Sequence, residues 1–214
     1  MNWRLLRQCP WLDTRARFVA LTPVGGRLLD LGSWNGETLR HFAELRPDLK
    51  YFAADKAGTP EAYPSGCEYH EADFECGPLP WQDCSFDAVT CMHVIEHLRD
   101  LRSLLKEIAR VLKPNGLAYF ETPHPKTISL PSAAGRFTMN FYDDPTHVRP
   151  VGTDELSRLA QQSGLNRVAA GQSRNWLFAA AFPLFWLLPD SRKKFTARVH
   201  WLGWSAYLIA RRPL

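Results

Sequence analysis

An apolar run that breaks at a glycine turn and restarts as a helix restricts a chain more than its composition does. Arg27-Leu-Leu-Asp-Leu-Gly32 is such a run, entered through Pro23-Val-Gly-Gly26 and left through Ser33-Trp-Asn-Gly36. A strand apolar along nearly its whole length is buried on both faces, and such strands belong to parallel sheets with helical crossovers. The pattern repeats along the chain. Glu37 to Leu45 has helical spacing, Lys50 to Asp55 is a second strand and Cys67 to Asp73 a third. Ser85 to Cys91 is a fourth strand, followed by a helix through Val111 with Leu101, Leu104, Leu105, Ile108 and Leu112 at helical spacing. Pro114-Asn-Gly116 turns that helix into a fifth strand, Gly116 to Glu121. A helical pattern over Leu12 to Leu21 precedes the first strand. A helix from Asp154 to Ser163, capped by Thr153 and stopped by Gly164, precedes two last strands, Arg167 to Ala170 and Ser205 to Ala210. The expectation is a single domain over residues 1–214, an α/β fold with an open, mostly parallel, seven-stranded sheet and helices on both faces.

At this length one core is large enough to need no covalent staple. The five cysteines, Cys9, Cys67, Cys76, Cys84 and Cys91, are odd in number and form no CxxC pair. They argue against a disulfide framework or a thiolate zinc site, and for a reducing compartment. Charges scattered through the first turns replace the apolar core of a signal peptide, and no apolar run is long enough to span a bilayer. A cytoplasmic location, extending to the inner membrane surface, is therefore expected. The net charge of +4 is uneven. From Trp176 onward six basic residues face one acid, Asp190, so that stretch carries +5 and the remainder is nearly neutral.

In a parallel sheet of this kind ligands bind beyond the carboxyl ends of the strands. The residues to read are those just after each strand. Gly32 and Gly36 lie between a buried strand and a helix, where glycine permits tight turns and close backbone approach. Asp55, at the end of the second strand, suits two hydrogen bonds to a ribose. Together they indicate a nucleoside. A dinucleotide is excluded, because GxGxxG fails with Trp34 at its second glycine and Glu37 at its third, and no Walker A sequence exists.

Asp30-Leu-Gly-Ser-Trp-Asn-Gly36 resembles the DxGxGxG motif of class I S-adenosylmethionine-dependent methyltransferases, with Trp34 replacing the middle glycine. The resemblance continues through Asp73-Phe74, Leu79-Pro80-Trp81, Asp83-Cys-Ser-Phe-Asp-Ala-Val89, His93-Val-Ile-Glu-His-Leu98 and Arg110-Val-Leu-Lys-Pro-Asn-Gly116. It covers about residues 27 to 170, with all landmarks in order, and is nearest to the type 11/23-like bacterial group acting on small molecules or surface sugars. It implies a Rossmann-like sheet and S-adenosylmethionine as cofactor. The cofactor contacts are assigned to Asp30, Gly32, Ser33, Gly36, Asp55, Lys56, Asp73, Phe74 and Met92. The Trp34 indole is expected to point away from the cofactor, into the N-terminal helix or over the pocket mouth.

Methyl transfer from a sulfonium is chiefly a matter of orientation, and a hydroxyl acceptor calls in addition for a base, a role histidine fills near neutral pH. His147 and His93 are the catalytic candidates. His124, Tyr142 and Arg149 are the candidates for acceptor binding, the last two in an acceptor loop over residues 140–152. His93, Glu96 and His97 stand at i, i+3 and i+4, so one helical face would present all three. With His147 they resemble the ExxEH-plus-histidine metal set of small-RNA 2′-O-methyltransferases and some quinone-pathway O-methyltransferases, with His93 in place of the first glutamate. No resident metal is expected; these four residues are the set a divalent ion would take.

Residues 173–200 form an insertion between the last two strands. Trp176 to Pro189 is fourteen residues without charge, followed by Arg192-Lys-Lys194. A hydrophobic lid or dimer contact, and a peripheral membrane contact through residues 176–198, both stay open. The leading functional expectation is methyl transfer to a hydroxyl of a small molecule or lipid-linked sugar. Two alternatives remain: an RNA 2′-O-methyltransferase using a divalent metal, and a non-catalytic S-adenosylmethionine-binding module. The excess charge is confined to one end and no nucleic-acid module is visible, which disfavours nucleic acid as partner. The acceptor and the oligomeric state are not legible.

Overall fold

The computed structural model describes residues 3–132 and 139–214. Its sheet has seven strands in the order β3-β2-β1-β4-β5-β7-β6. These are β1 (Arg27–Leu31), β2 (Lys50–Asp55), β3 (Glu68–Glu71), β4 (Phe86–Met92), β5 (Leu112–Pro123), β6 (Asn166–Gln172) and β7 (Ser205–Arg211). All neighbours pair in parallel except β7, which runs antiparallel to both β5 and β6. The expected open, mostly parallel α/β sheet is what forms.

Alternate side chains of each strand serve opposite faces. On one face Leu28, Tyr51, Ala88 and Tyr119 pack against α1 (Thr14–Ala20) and α2 (Glu37–Leu45), through Phe18, Val19, Leu39 and Phe42. On the other, Leu29, Leu31, Val89 and Phe120 pack against α3 (Leu101–Val111) and α4 (Thr153–Gln162). Each fully buried Leu or Ile in these faces contributes about 1.5–3 kcal/mol relative to leaving it exposed.

Several boundaries differ from the sequence reading, each for a local reason. The helix after β4 begins only at Leu101, because Asp100 accepts from the N–H groups of Arg102 and Ser103 and caps it. Residues 95–97 form a single 3-10 turn, so no helical face presents His93, Glu96 and His97 together. The Pro114-Asn-Gly116 turn lies inside β5. Leu112 pairs with Phe86 and Leu117 with Ala88, so the residues between bulge out, with Asn115 at φ +63. Thr153 is the first helical residue rather than the cap; Gly152 takes that place without a side-chain bond. β3 stops at Glu71, leaving Asp73 and Phe74 in the loop beyond it. The 173–200 insertion folds as two helices, α5 (Trp176–Phe185) and α6 (Arg192–Leu202), packed on each other.

The signature segments meet in space. The Arg110 guanidinium donates to the carbonyls of Leu79 and Trp81 and to the carboxylates of Asp83 and Glu107. That fork anchors the 79–83 segment to α3 below the active edge.

Candidate active site

The carboxyl ends of β1, β2 and β4 converge on the turn after β1. Gly32 and Gly36 both have left-handed backbones, φ +79 and +68. A Cβ on Gly32 would lie 2.2 Å from Val94 Cγ2, and one on Gly36 2.2 Å from Tyr63 Cδ1. The glycines are thus demanded by backbone sign and by packing of the protein on itself, a narrower reason than approach to a ligand. Trp34 adopts φ +39, and its N–H donates to Asp55 Oδ2 at 2.8 Å. The Trp34 carbonyl accepts from Thr59 N and the Tyr63 hydroxyl, 2.9 Å each. The indole stands 68% exposed at the mouth of a cavity of about 600 Å³ that it helps to line. Exposed in this way, Trp34 does not pack into the N-terminal helix.

The cofactor candidates divide by what already occupies them. Asp55 Oδ1 accepts from Ala57 N, so both its oxygens are fixed at the end of β2. Asp73 is joined by Lys56 Nζ at 2.8 Å and caps Glu75 N, while Phe74 packs half-buried on the core. Met92 is buried at the end of β4. Two candidates are also bonded within the protein. The Ser33 hydroxyl is 2.9 Å from the Tyr63 hydroxyl and is buried. Asp30 is 2% exposed and accepts from Thr90 Oγ1 at 2.6 Å; burial outweighs that bond and pushes its carboxyl up to about 7. A fixed carboxylate at β2, a carboxylate and aromatic ring after β3, and a left-handed turn between β1 and β4 form a donor set that fits S-adenosylmethionine.

Beside this turn lies a buried ionic network. Glu121, at 1% exposure, takes Arg15 through both oxygens, at 2.6 and 3.0 Å, and also accepts from Tyr119 and Ser173. Burial would raise its carboxyl, but Arg15 and His93 hold it well below the usual range. His93, with φ +55, sets Nδ1 3.2 Å from Glu96 Oε1 and Nε2 3.5 Å from Glu121 Oε1. Burial opposes its cation, yet Glu121 and Glu96 win and raise it to about 9. That environment favours the protonated ring, and the ligating atoms that cluster at this rim come from Glu96, His97 and His147, without His93.

His147, Glu96 and His97 do come together. One ligating atom from each lies within 4.8 Å of the others, in a cavity of about 350 Å³ also lined by His93, Asn140, Asp144 and Trp204. His147 Nδ1 donates to the Phe141 carbonyl at 2.6 Å, leaving Nε2 as its acceptor. Thr146 gives its hydroxyl proton to Asp144 and so accepts from His97 Nδ1, at 2.9 Å. Glu96 Oε2 is fully buried and has no hydrogen-bond partner among the described residues.

The remaining acceptor candidates are not brought in. The His124 Nδ1 accepts from Lys126 N and caps the turn Pro125–Ser129. Tyr142 lies exposed against Phe141, and Arg149 pairs with Glu155. None of the three lines either cavity. Arg15, Glu121, Ser173, Asn175 and His200 were missed. A lone acid ending the apolar strand Gly116-Leu-Ala-Tyr-Phe-Glu121 was a readable sign of a buried charge, but nothing local names its partner.

Residues 3–170 match the methyltransferase-domain family. The ubiquinone biosynthesis O-methyltransferase of Albidiferax ferrireducens is 28% identical over 155 residues, 68% of this chain and 58% of that protein. The corresponding enzyme of Neisseria meningitidis serogroup C is 33% identical over 86 residues, 38% of this chain and 36% of its own. The chain thus spans well under two thirds of these relatives' length. Among solved structures, an S-adenosylmethionine-dependent methyltransferase from Mesorhizobium loti aligns with TM-score 0.67 and 19% identity, over 96% of this chain and 98% of that one. The methyltransferase in the Haloferax volcanii complex with the Trm112 activator aligns with TM-score 0.70 and 19% identity, over 99% and 94%. Sheet order, donor turn and family match agree, and the chain belongs to the class I S-adenosylmethionine-dependent methyltransferases.

Proposed function

We propose that this chain transfers the methyl group of S-adenosylmethionine to a hydroxyl of a small-molecule or lipid-linked acceptor. The cofactor supplies an electrophilic methyl group on a sulfonium. The residues of this chain hold it with Asp55, Asp73 and Phe74 and orient the acceptor. The observation that carries the hydroxyl reading is His147. Its Nδ1–H is committed to a backbone carbonyl, so Nε2 is the one ring atom left to take a proton from an acceptor in the 350 Å³ cavity. Neighbouring relatives named for ubiquinone O-methylation support a phenolic hydroxyl. Trp34 lines the larger cavity without filling it, so the feature that favoured a non-catalytic module loses its force. The test is radiolabelled methyl transfer to catechols with and without an alkyl chain. Cofactor binding by calorimetry together with transfer to oxygen supports the reading; binding with transfer only to amine probes overturns it.

A second reading keeps a divalent cation at Glu96, His97 and His147, with a ribose hydroxyl as acceptor. The orphaned Glu96 oxygen favours it, since a buried carboxylate oxygen without a donor is costly. Metal analysis after dialysis against a chelator, followed by transfer assays with magnesium and with zinc, decides between the two.

A further inference from the structure

The two helices of the insertion have unlike sides. Their inner side walls the 600 Å³ cavity with Phe178 of α5 and Arg192, Lys193, Thr196 and His200 of α6. The root is fixed: Asn175 Nδ2 donates to Asp13 Oδ2 at 2.8 Å, and Arg174 Nη1 donates to the carbonyls of His200 and Trp201. Phe182 closes on Trp201, with ring centroids 5.9 Å apart. The hairpin is a packed part of the fold.

Its outer side is apolar. Ala179 and Phe182 turn inward, so Trp176, Ala180, Pro183 and Leu184 turn outward at helical spacing, and the stripe continues through Trp186 and Leu187. Leu184 is 76% exposed, Trp186 65% and Leu187 86%. Contiguous large apolar groups left in water mark a contact surface. The charges beside the stripe say what kind. Arg192 is paired with Glu37, Lys194 with Asp190, and Lys193 lines the cavity, but Arg198 is exposed and has no acidic partner among the described residues. A second copy brought face to face would leave that cation without a counter-charge. An anionic bilayer would satisfy both the apolar stripe and Arg198.

We infer that the outer face of α5 and α6 docks on an anionic lipid surface. The contact lies in the interface and does not span it: α5 has ten residues, and no helix among the described residues is long and apolar enough to cross a membrane. The same two helices wall the cavity beside the donor turn. If the methyl-transfer reading holds, docking therefore sets the donor side of the site against the lipid; the docking itself does not depend on that reading.

The experiment floats the full chain with vesicles of phosphatidylglycerol and phosphatidylcholine, and with phosphatidylcholine alone, at low and high salt. Expected is co-flotation with the anionic vesicles at low salt, at least about tenfold weaker on neutral vesicles or when screening shortens to a few ångströms. The double substitution Leu184→Glu with Leu187→Glu abolishes flotation, while its calorimetric binding of S-adenosylmethionine matches the parent and shows that it is folded. Arg198→Gln lowers partitioning about fivefold, the share of one basic group. No flotation of the parent at low salt overturns the inference. So does equal flotation of parent and double variant, or a dimer in light scattering that the double variant dissolves in the absence of lipid binding. A parent that floats but binds no S-adenosylmethionine refutes the proposed function alone; binding without flotation refutes the docking alone.

Discussion

The donor turn and the acid–histidine rim share one edge of the sheet and are built by opposite means. The turn is held by partners close in sequence: Trp34 to Asp55, Ser33 to Tyr63 and Lys56 to Asp73 are 21, 30 and 17 residues apart. The rim is held by distant ones. Arg15 and Glu121 are separated by 106 residues, Asp13 and Asn175 by 162, and His97 and Thr146 by 49. One region is a product of a βαβ unit and its glycines; the other exists only when the N-terminal helix, β5, the 140–152 loop and the insertion have all docked. Damage to the turn should therefore appear first in cofactor affinity and local strain, and damage to the rim in turnover and global stability.

The sharpest way to break that distinction is His147→Ala. Transfer to a hydroxyl acceptor should fall about 10²–10⁴-fold, the range of a lost general base. Calorimetric affinity for S-adenosylmethionine should change little; equal turnover in the variant would take His147 out of the mechanism. Next in size is Arg15→Met, which leaves Glu121 buried with half its compensation. Breaking such a pair costs about 3 kcal/mol, read as a lower urea midpoint at unchanged slope. A change below the error of the melt would mean the Arg15 pairing contributes nothing net. Gly32→Ala tests the turn. A left-handed alanine facing Val94 should cost about 2 kcal/mol and weaken the cofactor with it; unchanged affinity would show that the turn tolerates a β-carbon. A further test concerns pH. Asp30 rises from an ordinary 3.8 to about 7 on folding, so the folded chain holds the proton more tightly. Its contribution is complete below pH 3.8 and lost as pH rises through 7. Asp30→Asn keeps the acceptor for Thr90 and should flatten that loss, seen as a parent-minus-variant difference in urea melts across pH 4–8. A constant difference would place the carboxyl in an ordinary environment.

Much of the fold was legible in the chain, because its signals are local. Apolar runs and helical spacing marked all seven strands and the helices α1 to α4, and glycine punctuation marked the turn after β1. The reading failed where two local signals compete. Val94-Ile-Glu-His-Leu98 looks helical, but Asp100 and Ser103 carry the stronger start signal, so the helix begins later and His93 falls in a left-handed bend. Partners also lay beyond reading: Ser33 meets the Tyr63 hydroxyl and His124 caps the turn that follows it.

By itself, then, the sequence determined the sheet, the donor turn and the acids that follow β2 and β3, since each depends on residues a few positions apart. Only the tertiary structure decided which histidine keeps a usable nitrogen. His93 lands between Glu96 and Glu121, which favour its cation, whereas His147 is set against a backbone carbonyl by the fold of the 141–147 loop. A side chain's protonation follows its neighbours, and these neighbours are assembled from segments that lie far apart in the chain.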